Sequence, residues 1–170
     1  ARLRAGHLWV FSNEVDTERT PLSGFTPGQP IAIVDHRDKP IGIGYVNPNS
    51  LICARLVSRG LEHPLDRSLI VHRLNIALSL RDRLFDEPYY RLVFGESDGL
   101  PGLTIDRFGD VLVGQATTAG MDNIKDDIVA AAVKVLKPRQ FWWKNDASIR
   151  GLEGLVDSVE LAHGEPGGQV

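Results

Sequence analysis

Gly95-Glu96-Ser97-Asp98-Gly99-Leu100-Pro101-Gly102-Leu103 admits two incompatible readings, and the choice between them decides the fold of the second half of the chain. Its first five residues fit G-x-S-x-G, the strand-to-helix elbow that presents a serine nucleophile beside an oxyanion hole. Tyr90 to Phe94, a run of aromatic and branched residues, supplies the strand that such an elbow needs. A helix should then propagate, yet Pro101 and Gly102 stand in its first turn and both oppose it. A hydrolase of this type also places its acid and its histidine after the serine. The only downstream histidine, His163, sits in the Gly/Pro-rich stretch His163-Gly164-Glu165-Pro166-Gly167-Gly168. The segment therefore reads as a structural turn joining two strands.

Outward from that turn, Leu103 to Arg107 and Val111 to Thr117 read as a hairpin around Phe108-Gly109-Asp110. A helix follows, with Ile124, Ile128, Ala131, Ala132 and Val135 on one face and Pro138 at its end. Asp122, Asp126 and Asp127 near its start, and Lys134 and Lys137 near its end, suit the helix dipole. Arg139 to Lys144 is a further strand, whose alternation sends Trp142 and Trp143 to opposite faces. At most one of the two can stack on a base, and core packing is the favoured role. Upstream of the turn, Leu65, Leu69, Ile76, Leu80 and Leu84 recur as one face of a helix capped by Asp66 and bounded by Pro88. Residues 65–170 are thus expected to form a small α/β domain of strand, hairpin, helix and strand. Its C-terminal end is expected to be truncated, because the strand-like Val156 to Ala162 has no obvious partner.

The first 64 residues follow a different pattern. Ile31 to Asp35, Ile41 to Val46 and Leu51 to Ser58 read as short strands, separated by Asp38-Lys39-Pro40 and Asn47-Pro48-Asn49-Ser50. Strands this close leave no room for crossover helices, so they are antiparallel, closing into a barrel or packing on a helix to hide their edges. Trp9 and Phe11, in Gly6-His7-Leu8-Trp9-Val10-Phe11, are expected to plug that sheet. The class that results is α+β: an all-β domain over residues 1–64, then the α/β domain.

Composition excludes more than it assigns. A chain of 170 residues with 42% hydrophobic content can bury a core, and no apolar run reaches the roughly 18 residues needed to span a bilayer. A signal peptide is not recognisable at the start, so a cytoplasmic location and no membrane partner are expected. Cys53 is the single cysteine and reads as a buried structural thiol in a strand. The net charge of −3 is unlike that of a simple polycation, but residues 1–73 carry 9 basic and 7 acidic side chains, against 10 and 15 in the remainder. The first part is the better candidate for touching phosphate.

Neither the dinucleotide nor the nucleotide-triphosphate glycine loop occurs. The five histidines show no metal spacing. Glu96, Asp98 and Asp106 could serve acid–base chemistry. The favoured reading is that Glu96 and Asp98 bond the turn's own amides and Asp106 pairs with Arg107 or Arg91. Arg2, Arg4, Arg37, Lys39, Arg55 and Arg59 could line one edge of the β-domain and bind phosphate, or form an ordinary solvated surface.

Arg4-Ala5-Gly6-His7-Leu8-Trp9-Val10-Phe11-Ser12-Asn13-Glu14-Val15 resembles the opening motif of the PUA domain in a family of S-adenosylmethionine-dependent methyltransferases. That family makes 5-methylcytosine in large-subunit (23S) rRNA. Gly44-Tyr45-Val46-Asn47-Pro48-Asn49-Ser50 and Ala54-Arg55-Leu56 resemble later strands of the same domain. Gly95 to Leu103, continued by Thr104-Ile105-Asp106-Arg107-Phe108-Gly109-Asp110, resembles the signature of its central domain. Asn145-Asp146 to Arg150 and Leu152-Glu153-Gly154-Leu155 follow in order.

The resemblance implies an N-terminal PUA-like β-barrel followed by the central domain, with rRNA as the partner. By their position in that domain, His7, Trp9, Arg55 and nearby Arg2, Arg4 and Arg59 are the expected RNA contacts. In that family a further Rossmann-like domain binds S-adenosylmethionine and carries the cysteine nucleophile. That domain is expected to be absent here, so this chain is expected to bind no cofactor or metal and to hold no catalytic residue. Cys53 does not match the nucleophile's position. Leu8 replaces the proline usual after the histidine, and the first PUA strand expected before Arg2 is missing. The alternative is a stand-alone, non-catalytic RNA-binding or scaffold module, and self-association is a further candidate.

Overall fold

A computed structural model describes residues 1–167; the last three residues of the expected central domain lie outside the described range. The architecture is mixed α/β and built on two sheets. The first contains β1 (Trp9–Phe11), β2 (Gln29–Val34), β3 (Pro40–Val46) and β4 (Ile52–Arg59), ordered β1-β4-β3-β2 with every pair antiparallel. β1 and β2 are its edges and do not pair with each other, so the hydrogen-bonded strands do not close into the expected barrel. Alternation along β4 divides its side chains between two cores. Ala54 and Leu56 join Ile33, Leu3, Leu8, Val10, Ile31 and Ile41 in a small one, while Val57 and Tyr45 enter the main core. Cys53 is fully buried, its thiol donating to the Val10 carbonyl, and burial pushes its pKa up.

The second sheet follows the order β5 (Tyr89–Phe94), β6 (Leu103–Phe108), β7 (Val111–Ala116), β8 (Gln140–Asn145), β9 (Ser158–His163). Only β7 and β8 are parallel, and the crossover between them carries α2 (Ala119–Asp122) and α3 (Lys125–Leu136). α1 (Arg67–Leu84) packs against α3. Its Ile70, Leu74 and Ala77 meet Ile128, Ala131 and Ala132 of α3 in a core shared with Leu92, Leu103, Ile105, Phe141 and Trp143. The Asp66 cap is present, accepting a hydrogen bond from the Leu69 amide at 2.9 Å. Trp143 is buried and Trp142 only half-buried, as alternation requires.

Three expectations need correction. α1 turns a different face inward: Ile76 and Leu84 are 57% and 64% exposed, and Leu80 is exposed as well. The helix carries a second apolar stripe, Ile70-Leu74-Ala77, and the one that fits against α3 is buried. Trp9 does not plug the sheet; β1 is an edge strand and its tryptophan stands at the surface. The terminal strand does have a partner, because β9 pairs antiparallel with β8 from Phe141↔His163 to Asn145↔Ser158.

The stretch from Gly95 to Gly102 is a turn between two antiparallel strands. Gly99 has φ 72° and Gly102 has φ 81°, and a Cβ on Gly102 would collide with the Thr118 side chain. Asp98 locks the turn to α1: it accepts Arg81 Nη1 at 2.6 Å and Nη2 at 2.7 Å, and the Phe94 amide at 2.7 Å. The two side chains are 12% and 7% exposed. Removing one partner of such a pair strands a buried charge, so Asp98→Ala should cost about 3–5 kcal/mol of stability. Urea denaturation of the variant against the parent chain measures this, and a loss below about 1 kcal/mol would show that the pair does not hold the turn.

Candidate nucleic-acid interface

The β1–β4 register places Trp9 opposite Arg55. The Arg55 guanidinium carbon lies 5.3 Å from the centre of the Trp9 ring, and Trp9 is 39% exposed. Glu96, from the turn after β5, reaches this pair. Its Oε1 accepts Trp9 Nε1 at 2.8 Å and Arg55 Nη1 at 3.1 Å. Alternation along β1 puts Phe11 on the same face as Trp9, edge-on at 6.5 Å between ring centres. Arg2 sits 5.3 Å over the Phe11 ring and donates to Glu14 at 2.8 Å. The Phe11 amide, with Arg2 beside it, holds the Glu14 carboxyl below its usual pKa. The result is a continuous row, Arg55–Trp9–Phe11–Arg2, in which a pair of rings is flanked by a guanidinium at each end.

Such a row suits unpaired nucleobases, which stack on aromatic rings and guanidinium planes whatever their sequence. Of the six residues named from sequence, the structure gathers Arg2, Trp9 and Arg55 into it. His7 is exposed just ahead of β1. Arg4 is turned toward Asp35, at 2.7 Å, and Arg59 donates to the Leu3 carbonyl at 2.8 Å. The Arg37 and Lys39 amides, with Arg4 nearby, hold the Asp35 carboxyl below its usual pKa. Asp106 pairs with Arg91, as expected. Glu96 does not bond its own turn, because the Trp9 and Arg55 donors from the other sheet occupy it.

Several groups that position this surface were not legible in the sequence. The Tyr45 hydroxyl donates to the Pro101 carbonyl at 2.7 Å and lies 2.9 Å from Thr118 Oγ1, joining the first sheet to the turn and to the cap of α2. Burial pushes its pKa up. Asn47 Nδ2 donates to Glu153 Oε2 at 2.6 Å, and the same carboxylate oxygen accepts the Ala119 amide. Both residues lie in stretches that stood out as motifs, but a contact across 106 positions leaves no local trace. Buried Arg150 donates to the Ala116 and Val156 carbonyls and to Asp122.

A nucleotide-type cofactor would need a glycine cradle after a parallel strand. After β7, one of the two parallel strands, a Cβ on Gly120 would enter the Tyr45 ring. That turn is filled by protein and does not fit S-adenosylmethionine. No three His, Cys, Asp or Glu side chains among the described residues are gathered as a metal site requires.

Residues 1–59 match the family model of a PUA-like domain. The whole chain is similar to proteins named ribosomal RNA large subunit methyltransferase I. It is 35% identical to that of Aliivibrio fischeri over 96% of this chain and 41% of the relative. It is 34% identical to that of Alteromonas mediterranea over 99% and 42%. Among solved structures, a protein from Streptococcus mutans assigned as a SAM-dependent methyltransferase superposes with a TM-score of 0.76 at 18% identity, over 98% of this chain and 41% of that one. A methyltransferase complexed with SAH gives a TM-score of 0.77 at 19% identity, over 98% and 40%. At those identities the two structures speak for the fold alone. The chain spans about two-fifths of the relatives' length; over that span it is similar to large-subunit ribosomal RNA methyltransferases, and its first 59 residues match a PUA-like domain.

Proposed function

We propose that this chain is the RNA-recognition portion of an S-adenosylmethionine-dependent rRNA methyltransferase acting on a cytosine C5 of 23S rRNA, and that it works in the cytoplasm. Residues 1–64 form the RNA-binding domain and residues 65–170 a central domain that braces it. The observation that carries the reading is the Arg55–Trp9–Phe11–Arg2 row at the edge of a PUA-like domain, with Trp9 and Arg2 exposed and Phe11 half-buried. Trp9 and Phe11 offer faces for unstacked bases. Arg55 and Arg2 can exchange a carboxylate for phosphate without being newly buried. Methyl transfer belongs to a part of the intact enzyme outside this chain: the turn that follows β7 is closed by Tyr45, and Cys53 is buried with its thiolate disfavoured.

Arg55→Ala should weaken binding to a large-subunit rRNA fragment by about tenfold, within the range set by one stacked base or charged contact. Fluorescence anisotropy against the fragment and against heparin checks it. Equal, weak binding to both, unchanged in the variant, would sink the recognition claim. Calorimetry of the chain with S-adenosylmethionine should register no binding heat; micromolar affinity would refute the assignment of the cofactor to another part of the enzyme.

A further inference from the structure

Between the end of β4 and the start of α1 lies a groove of about 710 Å³ that shares no lining residue with the Trp9 row. It is lined by Arg59, His63, His72 and Arg73, with Glu62 and Asp66 as its only acids. Its arginines differ from most others in the molecule. Arg2, Arg4, Arg19, Arg55, Arg67, Arg81, Arg91, Arg139 and Arg150 each face a carboxylate. Neither groove arginine has one among the described residues. Arg73 donates to the Gly99 carbonyl and, at 3.4 Å, to the Ser58 hydroxyl, while Arg59 bonds only the Leu3 carbonyl. Arg73 is half-buried, and desolvation lowers its pKa, as it does for a cation whose charge is not answered by an anion.

The acids do not supply that anion. Asp66 is committed to capping α1 through the Leu69 amide. Glu62 lines the groove but makes no ion pair with either arginine among the described residues. The first turn of α1, an 18-residue helix, forms one wall and adds the positive end of its dipole. Two guanidinium forks lining one groove suit a tetrahedral oxyanion better than a carboxylate, because each offers paired donors to separate oxygens.

We propose that this groove holds a backbone phosphate of the bound RNA, bridged by Arg59 and Arg73. The proposal rests on the RNA-binding reading above and adds a second contact, on the seam between the first sheet and the helical layer. The stacking row then holds bases while the groove fixes the strand's path. A free phosphate shares this chemistry, so the test separates the two sources.

The experiment titrates the chain with an rRNA fragment at several salt concentrations, and separately with inorganic phosphate while the arginine side-chain N–H resonances are followed by NMR. Arg59→Gln, an exposed change that spares the fold, should lower RNA affinity about fivefold and reduce the slope of log K against log salt by about one. Glu62→Gln should raise affinity about threefold, a gain that misfolding cannot mimic. RNA should shift the Arg59 and Arg73 resonances. Unaltered affinity and slope in both variants, while Arg55→Ala still loses binding, would overturn the groove and leave the stacking row standing. Resonances moved by inorganic phosphate but not by RNA would overturn it in favour of a small-anion site. Failure of the parent chain to prefer the rRNA fragment over heparin would overturn both readings.

Discussion

A buried turn has carbonyls that must find donors, and the whole molecule is arranged around one that does. Ser97 stays exposed, while Leu100, Pro101 and Leu103 sink into the core and draw that end of the Gly95-to-Leu103 turn away from water. Its backbone oxygens then need partners, since an unpaired buried carbonyl costs about 1–3 kcal/mol. α1 provides Arg73 for Gly99, β3 provides Tyr45 for Pro101, and the end of β7 provides Thr117 for Gly102. Asp98 and Glu96 reverse the traffic, accepting from Arg81 and from the Trp9–Arg55 pair. One segment thereby fixes the helix, the second sheet and the edge of the first relative to one another.

The parts of this fold that could be read from sequence are those whose causes are local. Asp66 caps α1 because its own side chain meets an amide three residues on. The β6–β7 hairpin follows from Phe108-Gly109-Asp110, and the buried face of α3 from a single apolar stripe. α1 resisted the same logic because it carries two stripes, and only the position of α3 selects between them. The pairing of β9, the reach of Glu96 and the Asn47–Glu153 bond all depend on residues far apart in the chain. The residues proposed to face RNA were nameable from sequence, yet their arrangement was not: Arg4 and Arg2 look alike in sequence, while one braces a loop and the other stacks on Phe11.

The charge pattern explains how an acidic chain can serve an anionic partner. Most surface arginines are already answered by carboxylates within the protein, so the long-range field is weak and bulk attraction contributes little. Binding then depends on short-range matching. The Arg2–Glu14 ion pair is exposed and worth little by itself, so trading Glu14 for phosphate is nearly neutral, whereas trading Glu96 for phosphate at the shielded Arg55 costs more, and the stacked rings decide the outcome. A surface of this kind discriminates unstacked strands from duplex more readily than it gathers any polyanion.

The parallel pairing of β7 with β8 also sets the order in which the second sheet can assemble. β5, β6 and β7 are joined by short turns and can zip together early. β8 must wait for α3 to form and swing back across the sheet, because a parallel neighbour cannot be reached by a hairpin. β9 docks on β8 and so comes last. β9 forms the edge of the sheet farthest from β5, and it can fray without disturbing the turn that follows β5.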